Sequence, residues 1–223
     1  MLGRYERNLP ALTEADCALL REKKVAVIGC GGLGGYLVEY LARIGIGAIR
    51  VVDGDVFEPT NLNRQLLALP GCLGAGKAET AAARIRTVNP EVSVEVCHTF
   101  LEEANALQLV SGCDAVLDAL DNIPTRRILE RACEEAGIPC IYGAISGWVA
   151  QAAVILPGDR LMERLYPQGT VVREKSVLSF TPAMCAAVQM SLCIRLLTGR
   201  PVEPGKLLYF DLLSQEFESI PLV

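Results

Sequence analysis

Lys24-Val25-Ala26-Val27-Ile28-Gly29-Cys30-Gly31-Gly32-Leu33-Gly34 is the stretch that decides the fold. Residues 24–29 read as a short buried strand of small and β-branched side chains. The chain then breaks into Gly-x-Gly-x-x-Gly and enters the apolar stretch 33–44, which has the length of a buried helix and stops at Gly45. Residues 48–53 read as a second strand ending in the acid Asp53, so 24–53 form one βαβ unit. Glycines between a strand and a helix let backbone N–H groups approach a phosphate at the helix N-terminus, and an acid closing the next strand is placed to hold ribose hydroxyls. Taken alone the motif promises a nucleotide on a Rossmann-like fold, with nicotinamide, flavin and other nucleotides all open.

Upstream, residues 1–23 read as an N-terminal arm with a helix at 13–21 capped by Thr13. Downstream, the chain from Asp55 to Gly76 is broken by Pro59, Asn61, Asn63, Pro70, Gly71 and Gly74 before a helix over Lys77–Val88; a loop of that size inside a compact fold is usually functional. Strand and helix then alternate: strand 91–97, helix 102–110, strand 114–118, helix 124–136 closed by Gly137, and strand 138–142. Residues 24–145 are thus an α/β core. Beyond Gly147 the pattern changes to a long strand 148–156, an irregular stretch to Phe180, a helix 181–198 and two strands, 206–212 and 216–220. The expected fold is a Rossmann-like α/β domain, its mostly parallel sheet covered by helices on both faces. Antiparallel strands in residues 146–223 extend the same domain.

The 223 residues are 51% hydrophobic but only 5% aromatic, a balance that suits buried parallel strands. A net charge of −5 and the lack of any Lys/Arg run argue against nucleic acid as a partner. The N-terminus is too polar for a signal peptide and the apolar stretch 182–197 is short and interrupted by Gln189 and Arg195, so no membrane association and a cytoplasmic location are expected. Nine cysteines form no C-x-x-C pair, which argues against a disulfide framework or a four-cysteine zinc site. The lone His98, at the end of an alternating strand, reads as structural.

Two further stretches narrow the nucleotide. Asn61-Leu62-Asn63-Arg64-Gln65 precedes Lys77 by thirteen residues, counted from Arg64. Isolated, these cations would be solvated loop charges. Beside a glycine loop they suit a nucleoside triphosphate attacked at its α-phosphorus, where charge builds on the departing pyrophosphate. Asp118-Ala119-Leu120-Asp121-Asn122 follows a buried strand and should face the same crevice, because ligands of open α/β sheets bind at the carboxyl ends of the strands. Asp121 is there to hold Mg²⁺ on the phosphates; Asp118 serves equally well as a helix cap.

With these residues in order, the chain resembles the ThiF/MoeB/HesA adenylyltransferases, relatives of the ubiquitin-activating enzymes. The resemblance runs from Arg4-Tyr5-Glu6-Arg7-Asn8 through the glycine loop, Asp53-Gly54-Asp55, Asn61 to Gln65, Lys77, Asn89-Pro90 and Asp118 to Asn122, as far as Gly143. It implies an ATP site made of Gly29, Gly31, Gly32, Gly34, Asp53, Asp55, Asn61, Arg64, Gln65, Lys77, Asp121 and Asn122, with Mg²⁺ on Asp121. It also implies a homodimer in which Arg7 reaches the partner's ATP in trans. The implied reaction is adenylation of the C-terminal glycine of a small ubiquitin-like sulfur-carrier protein ending in Gly-Gly, with Arg64, Lys77, Asp121 and Arg7 as the catalytic set.

The chain departs from that pattern in two places. It lacks the paired C-x-x-C motifs with which many relatives bind zinc, so no zinc is expected and the segment 157–180 must be held otherwise. It also lacks a cysteine between Pro157 and Met184, where some relatives place a nucleophile, which leaves adenylation without a thioester or persulfide step. Competing readings are a tRNA-modifying dehydratase of the same superfamily, disfavoured by the acidic balance; a nicotinamide-dependent oxidoreductase, disfavoured by Arg64 and Lys77; and a non-catalytic nucleotide-binding partner, disfavoured by the full set of phosphate ligands.

Overall fold

The structure is a computed structural model and describes residues 3–167, 170 and 176–222. Eight strands form one sheet in the order β3-β2-β1-β4-β5-β6-β7-β8. β1 (Lys24–Ile28), β2 (Ala48–Val52), β3 (Ser93–Cys97), β4 (Ala115–Asp118) and β5 (Cys140–Ser146) run parallel, while β6 (Val149–Ile155), β7 (Lys206–Asp211) and β8 (Glu216–Pro221) continue antiparallel. The mixed sheet expected from the change of pattern at Gly147 is therefore present, and the antiparallel strands share it with the parallel core.

Alternation along the central strands divides the core in two. Val25, Val27, Leu117 and Ile141 face α2 (Gly32–Ile44), α3 (Lys77–Val88) and α7 (Phe180–Leu197). Ala26, Ile28, Val116 and Tyr142 face α4 (Ala106–Val110), α5 (Ile123–Ala136) and α6 (Leu161–Leu165). Both faces being covered is why these strands are apolar throughout. α7 is long and apolar enough to cross a membrane by composition, but it packs on α2, β5 and β6 within the fold.

The structure departs from the sequence-based elements where local chemistry overrides periodicity. The helix expected from 102 begins only at Ala106, because Asn105 Oδ1 takes the backbone N–H of Glu102 at 2.8 Å and holds a turn there. β5 runs on through Gly143 to Ser146 and meets β6 across the tight turn Gly147-Trp148. Gly143 does not break the strand; a Cβ there would lie 2.2 Å from the Gln189 side chain of α7, so the glycine marks close helix-on-sheet packing. Within the stretch expected to be irregular, α6 docks on α5 by burying Leu161 and Met162, and the Met162 N–H donates to Glu130 at 2.9 Å. The N-terminal arm is anchored as well: before α1 (Glu14–Arg21) a 3-10 turn over Gly3–Asn8 buries Tyr5, whose hydroxyl accepts from Asn89 Nδ2 at 2.7 Å.

Candidate active site

Sheet order places β1 and β4 side by side at the centre, with β2 reached by turning one way from β1 and β5 the other way from β4. Such a switch point leaves a crevice beyond the carboxyl ends of the strands. A cleft of about 530 Å³ opens there. Gly29, Gly31, Gly32, Asp53, Asp55, Arg64, Gln65, Lys77, Asp121 and Asn122 all line it.

The glycine loop forms its floor. Gly29 has φ +97°, and a Cβ there would sit 2.7 Å from the Ala119 carbonyl oxygen, so the loops after β1 and β4 touch backbone to backbone. Helix α2 starts without a side-chain cap, and its first internal bond is Gly35 N–H to Gly31 O at 3.0 Å. The N–H groups of that first turn, with the positive end of the helix dipole, have the chemistry that an anion takes. Gly34 lies outside the cleft lining. It is buried, and a Cβ on it would fall 1.9 Å from Gly29 O, so its part is to let the helix pack on the loop.

Asp53 closes β2 at one side of the cleft. Its carboxylate accepts from Cys30 N–H at 2.7 Å and Asp55 N–H at 2.8 Å. Burial pushes its pKa above the usual carboxylate value, against the lowering effect of those two bonds and of Lys77. Lys77, the first residue of α3, is buried with its ammonium 3.0 Å from Asp55. Arg64 donates to Thr60 O at 2.8 Å and to Asn63 Oδ1 at 2.9 Å, which holds the guanidinium at the rim. Gln65 is buried next to Gly31, and its Oε1 has no hydrogen-bond partner among the described residues. A buried acceptor without a protein donor is expensive unless a ligand supplies one.

Asn61 is not part of the lining. Its Oδ1 accepts from Glu58 N–H at 3.1 Å and its carbonyl from Arg64 and Gln65 N–H, so it shapes the turn that presents both side chains. Asn122 lines the cleft and caps α5, accepting from Thr125 N–H at 2.9 Å. Asp118 is not that cap. It ends β4, is buried, and accepts from Leu120 N–H at 2.9 Å. Arg7 is exposed on the N-terminal 3-10 turn and lines no part of this chain's own cleft.

The sequence reading missed Arg126, which the structure makes the hub of this wall. From α5 its guanidinium, buried, donates to Leu120 O and to Gly143 O, the latter at 2.8 Å; it lies 3.7 Å from Asp118 and stacks 5.0 Å from the Tyr142 ring centroid. Burial raises the Asp118 carboxyl and Arg126 opposes that rise. One cation thus ties the loop bearing Asp121 to β4 and β5. Arg126 lies five positions after Asp121, so the single sequence signal was an arginine on the helix after the acidic loop.

Past Asp121 the cleft continues along the ends of β5 and β6, lined by Ala144, Ile145, Ser146, Val149 and Gln151, with Tyr166 and Val177 also on its walls. None of these side chains is charged. Asp121 is exposed at the junction between this arm and the glycine-loop floor. A carboxylate there is the hard oxygen ligand that Mg²⁺ takes alongside phosphate oxygens, so the donor set fits that ion. Among the described residues, no group of three or more His, Cys, Asp or Glu side chains is clustered to hold a metal by itself.

Fold and site together define a nucleotide-binding α/β domain of the Rossmann type. The chain belongs to the ThiF family, whose model matches residues 5–222. It is 38% identical to the SAMP-activating enzyme E1 of Haloferax volcanii over 99% of this chain and 85% of that protein. It is 33% identical to the sulfur carrier protein adenylyltransferase of Thermus thermophilus, covering 98% of this chain and 86% of the other. A maize adenylyltransferase and sulfurtransferase, MOCS3-1, is 33% identical over the whole chain, which spans 50% of its length. Among solved structures, Escherichia coli MccB in complex with MccA-N7isoASN superposes with a TM-score of 0.85 at 22% identity, over 100% of this chain and 72% of that one, and supports the fold.

Proposed function

We propose that this chain uses ATP to adenylate the C-terminal glycine carboxylate of a small ubiquitin-like sulfur-carrier protein, releasing pyrophosphate. The observation that carries the reading is the continuity of one cleft, from a glycine-loop anion site with Lys77 and Arg64, past Asp121, into an uncharged arm along β5 and β6. The family and the names of the relatives point to the same chemistry.

In this reading the first turn of α2 and Asp53 hold the phosphates and the ribose. The carrier's carboxylate oxygen attacks the α-phosphorus, and the bond to the bridging oxygen breaks with its electron pair leaving on pyrophosphate. Lys77 and Arg64 neutralise the charge that gathers on the leaving group. Bound to Asp121, Mg²⁺ would supply further neutralisation between the phosphate oxygens. No side-chain base is needed, because the attacking carboxylate is already ionised at neutral pH. What remains for the protein is positioning, which rigid strand ends provide.

Residues 1–23 act as an arm, 24–145 as the ATP-binding core and 146–223 as the part that receives the carrier. The anchored 3-10 turn presents Arg7 outward, as a residue serving the partner's site in a homodimer would be. All nine cysteines are unpaired, which suits a reducing cytoplasm. None is fully exposed, and burial pushes the thiol of Cys185, the one next after Pro157, up to about 12. That favours adenylation alone, with sulfur transfer left to another protein. ATP–pyrophosphate exchange tests the reading: a carrier ending in Gly-Gly should switch exchange on, and Arg64→Ala should abolish it. Exchange with no such carrier, or undiminished exchange by the variant, defeats it.

A further inference from the structure

Two parts of the cleft that are far apart in the sequence meet at Asn63. Its Nδ2 donates to the Val177 carbonyl at 3.1 Å, and its Oδ1 accepts from Arg64 Nη1 at 2.9 Å. The partners dictate the orientation of this amide, since a guanidinium only donates and a carbonyl only accepts. Val177 lines the uncharged arm and bridges to Gly147 at the β5–β6 turn. That turn is itself tied down: the Gly147 N–H donates to Ser176 O at 2.7 Å, and the Gly147 carbonyl accepts from the Thr181 hydroxyl at 2.8 Å. Residues 176–177 are thus held between Gly147 on one side and Asn63 on the other. Arg64 uses the same Nη1 for Thr60 O at 2.8 Å. Neither of its two bonds occupies the Nε or Nη2 hydrogens, so Arg64 can take a phosphate with those while it still holds Asn63.

Resting on the adenylation reading above, we propose that Asn63 is a positioning residue that couples the two substrates, passing the capture of the triphosphate by Arg64 to the wall at Val177 that receives the carrier's tail. An arginine side chain left to itself samples many rotamers, and without a nucleotide the bonds from Nη1 must hold it still. A phosphate on Nε and Nη2 does that ordering instead, so the chain of contacts from Arg64 through Asn63 to Val177 is firmer when nucleotide is bound. Linkage makes the effect mutual: a tail that settles on the fixed wall favours bound nucleotide by the same factor. Asn63 is exposed and does not itself line the cleft, so neither core packing nor direct ligand contact accounts for its two bonds. What they do is join the phosphate end of the cleft to the carrier end.

The test uses a Gly-Gly-ending carrier that supports exchange with the wild-type chain. Its Kd is measured by calorimetry with and without Mg²⁺ and an ATP analogue carrying a methylene bridge between the α- and β-phosphorus. The readout is the factor by which nucleotide tightens carrier binding; direct contacts between the two ligands contribute to it equally in every variant that keeps both sites. In Asn63→Ala this factor should be smaller than in the wild-type chain by about three- to tenfold, the size of one hydrogen bond. Thr181→Val loosens the Gly147 side of the same segment without touching Arg64, so it should weaken carrier binding to the same degree in both conditions and keep the wild-type factor. A wild-type factor in Asn63→Ala overturns the assignment. So does an equal loss in Thr181→Val, the mark of a structural role. If no carrier supports exchange with the wild-type chain, the adenylation reading itself fails and takes this proposal with it.

Discussion

Replacing Arg126 by Met removes the buried cation that joins the Asp121 loop to β4 and β5, and the size of the effect follows from what it leaves behind. Gly143 O loses a 2.8 Å bond, Leu120 O loses its donor, and Asp118, only 2% exposed, loses the charge 3.7 Å away. Removing one partner of a buried pair costs about 3–5 kcal/mol, because the other charge is stranded. In a chain of this size each kcal/mol moves Tm by roughly 2–4 °C, so the variant should melt about 6–20 °C lower. The pH dependence gives a second handle. Burial already raises Asp118, and without Arg126 it rises further, so the variant's folded state binds this proton more tightly than its unfolded state. Stability is then lost as pH rises toward the folded pKa and recovered as pH falls. Thermal unfolding followed by circular dichroism at pH 8 and pH 5 should show a smaller deficit at pH 5. A deficit within about 2 °C, or one that grows on acidification, would refute the role given to Arg126.

Gly34→Ala should cost about 1–3 kcal/mol and raise KM for ATP by at least about tenfold, since a methyl group 1.9 Å from Gly29 O pushes the first turn of α2 off the phosphate site. Gly71→Ala, with nothing within 4 Å, is the control and should match wild type in melting and kinetics. ATP affinity measured by calorimetry from pH 8 downward should begin to weaken above the ordinary aspartate value of about 3.9, because the pKa of Asp53 is raised and its ionised form accepts the ribose hydroxyls more strongly than the protonated one. Asp53→Asn should bind ATP weakly with no such pH dependence; equal profiles for the two proteins would contradict the assignment. Arg7→Ala and Lys77→Met should each be inactive alone, yet regain exchange activity when mixed and refolded together, because a mixed dimer has one site with neither change. No recovery from a mixture shown to contain mixed dimers would place Arg7 outside the site.

The parts legible from the sequence were those with dense local signals. The strand, glycines and helix from Lys24 to Ile44 could be read as a unit because periodicity, the Gly45 stop and the loop composition agree. Lys77–Val88 was bounded correctly because Gly76 and Asn89 end the apolar pattern on either side. Arg64, Lys77 and Asp121 could be joined only through the rule that strand ends meet. Arg126 and Tyr166 stayed hidden for a different reason. An arginine on an amphipathic helix and a tyrosine in an irregular stretch look like surface residues until β5 and α6 place a carbonyl or another hydroxyl beside them. Asn105 and Gly143 misled because side-chain capture and helix packing are tertiary facts that neither residue type announces.

The most direct measurement is the intact mass of a Gly-Gly-ending carrier after incubation with the enzyme, Mg-ATP and pyrophosphatase. The account predicts that the carrier gains one adenylyl group, that deleting its last glycine prevents the gain, and that hydroxylamine removes it as expected of an acyl phosphate anhydride. A carrier left at its starting mass while ATP is consumed, or an adenylyl group found on the enzyme instead, would contradict it.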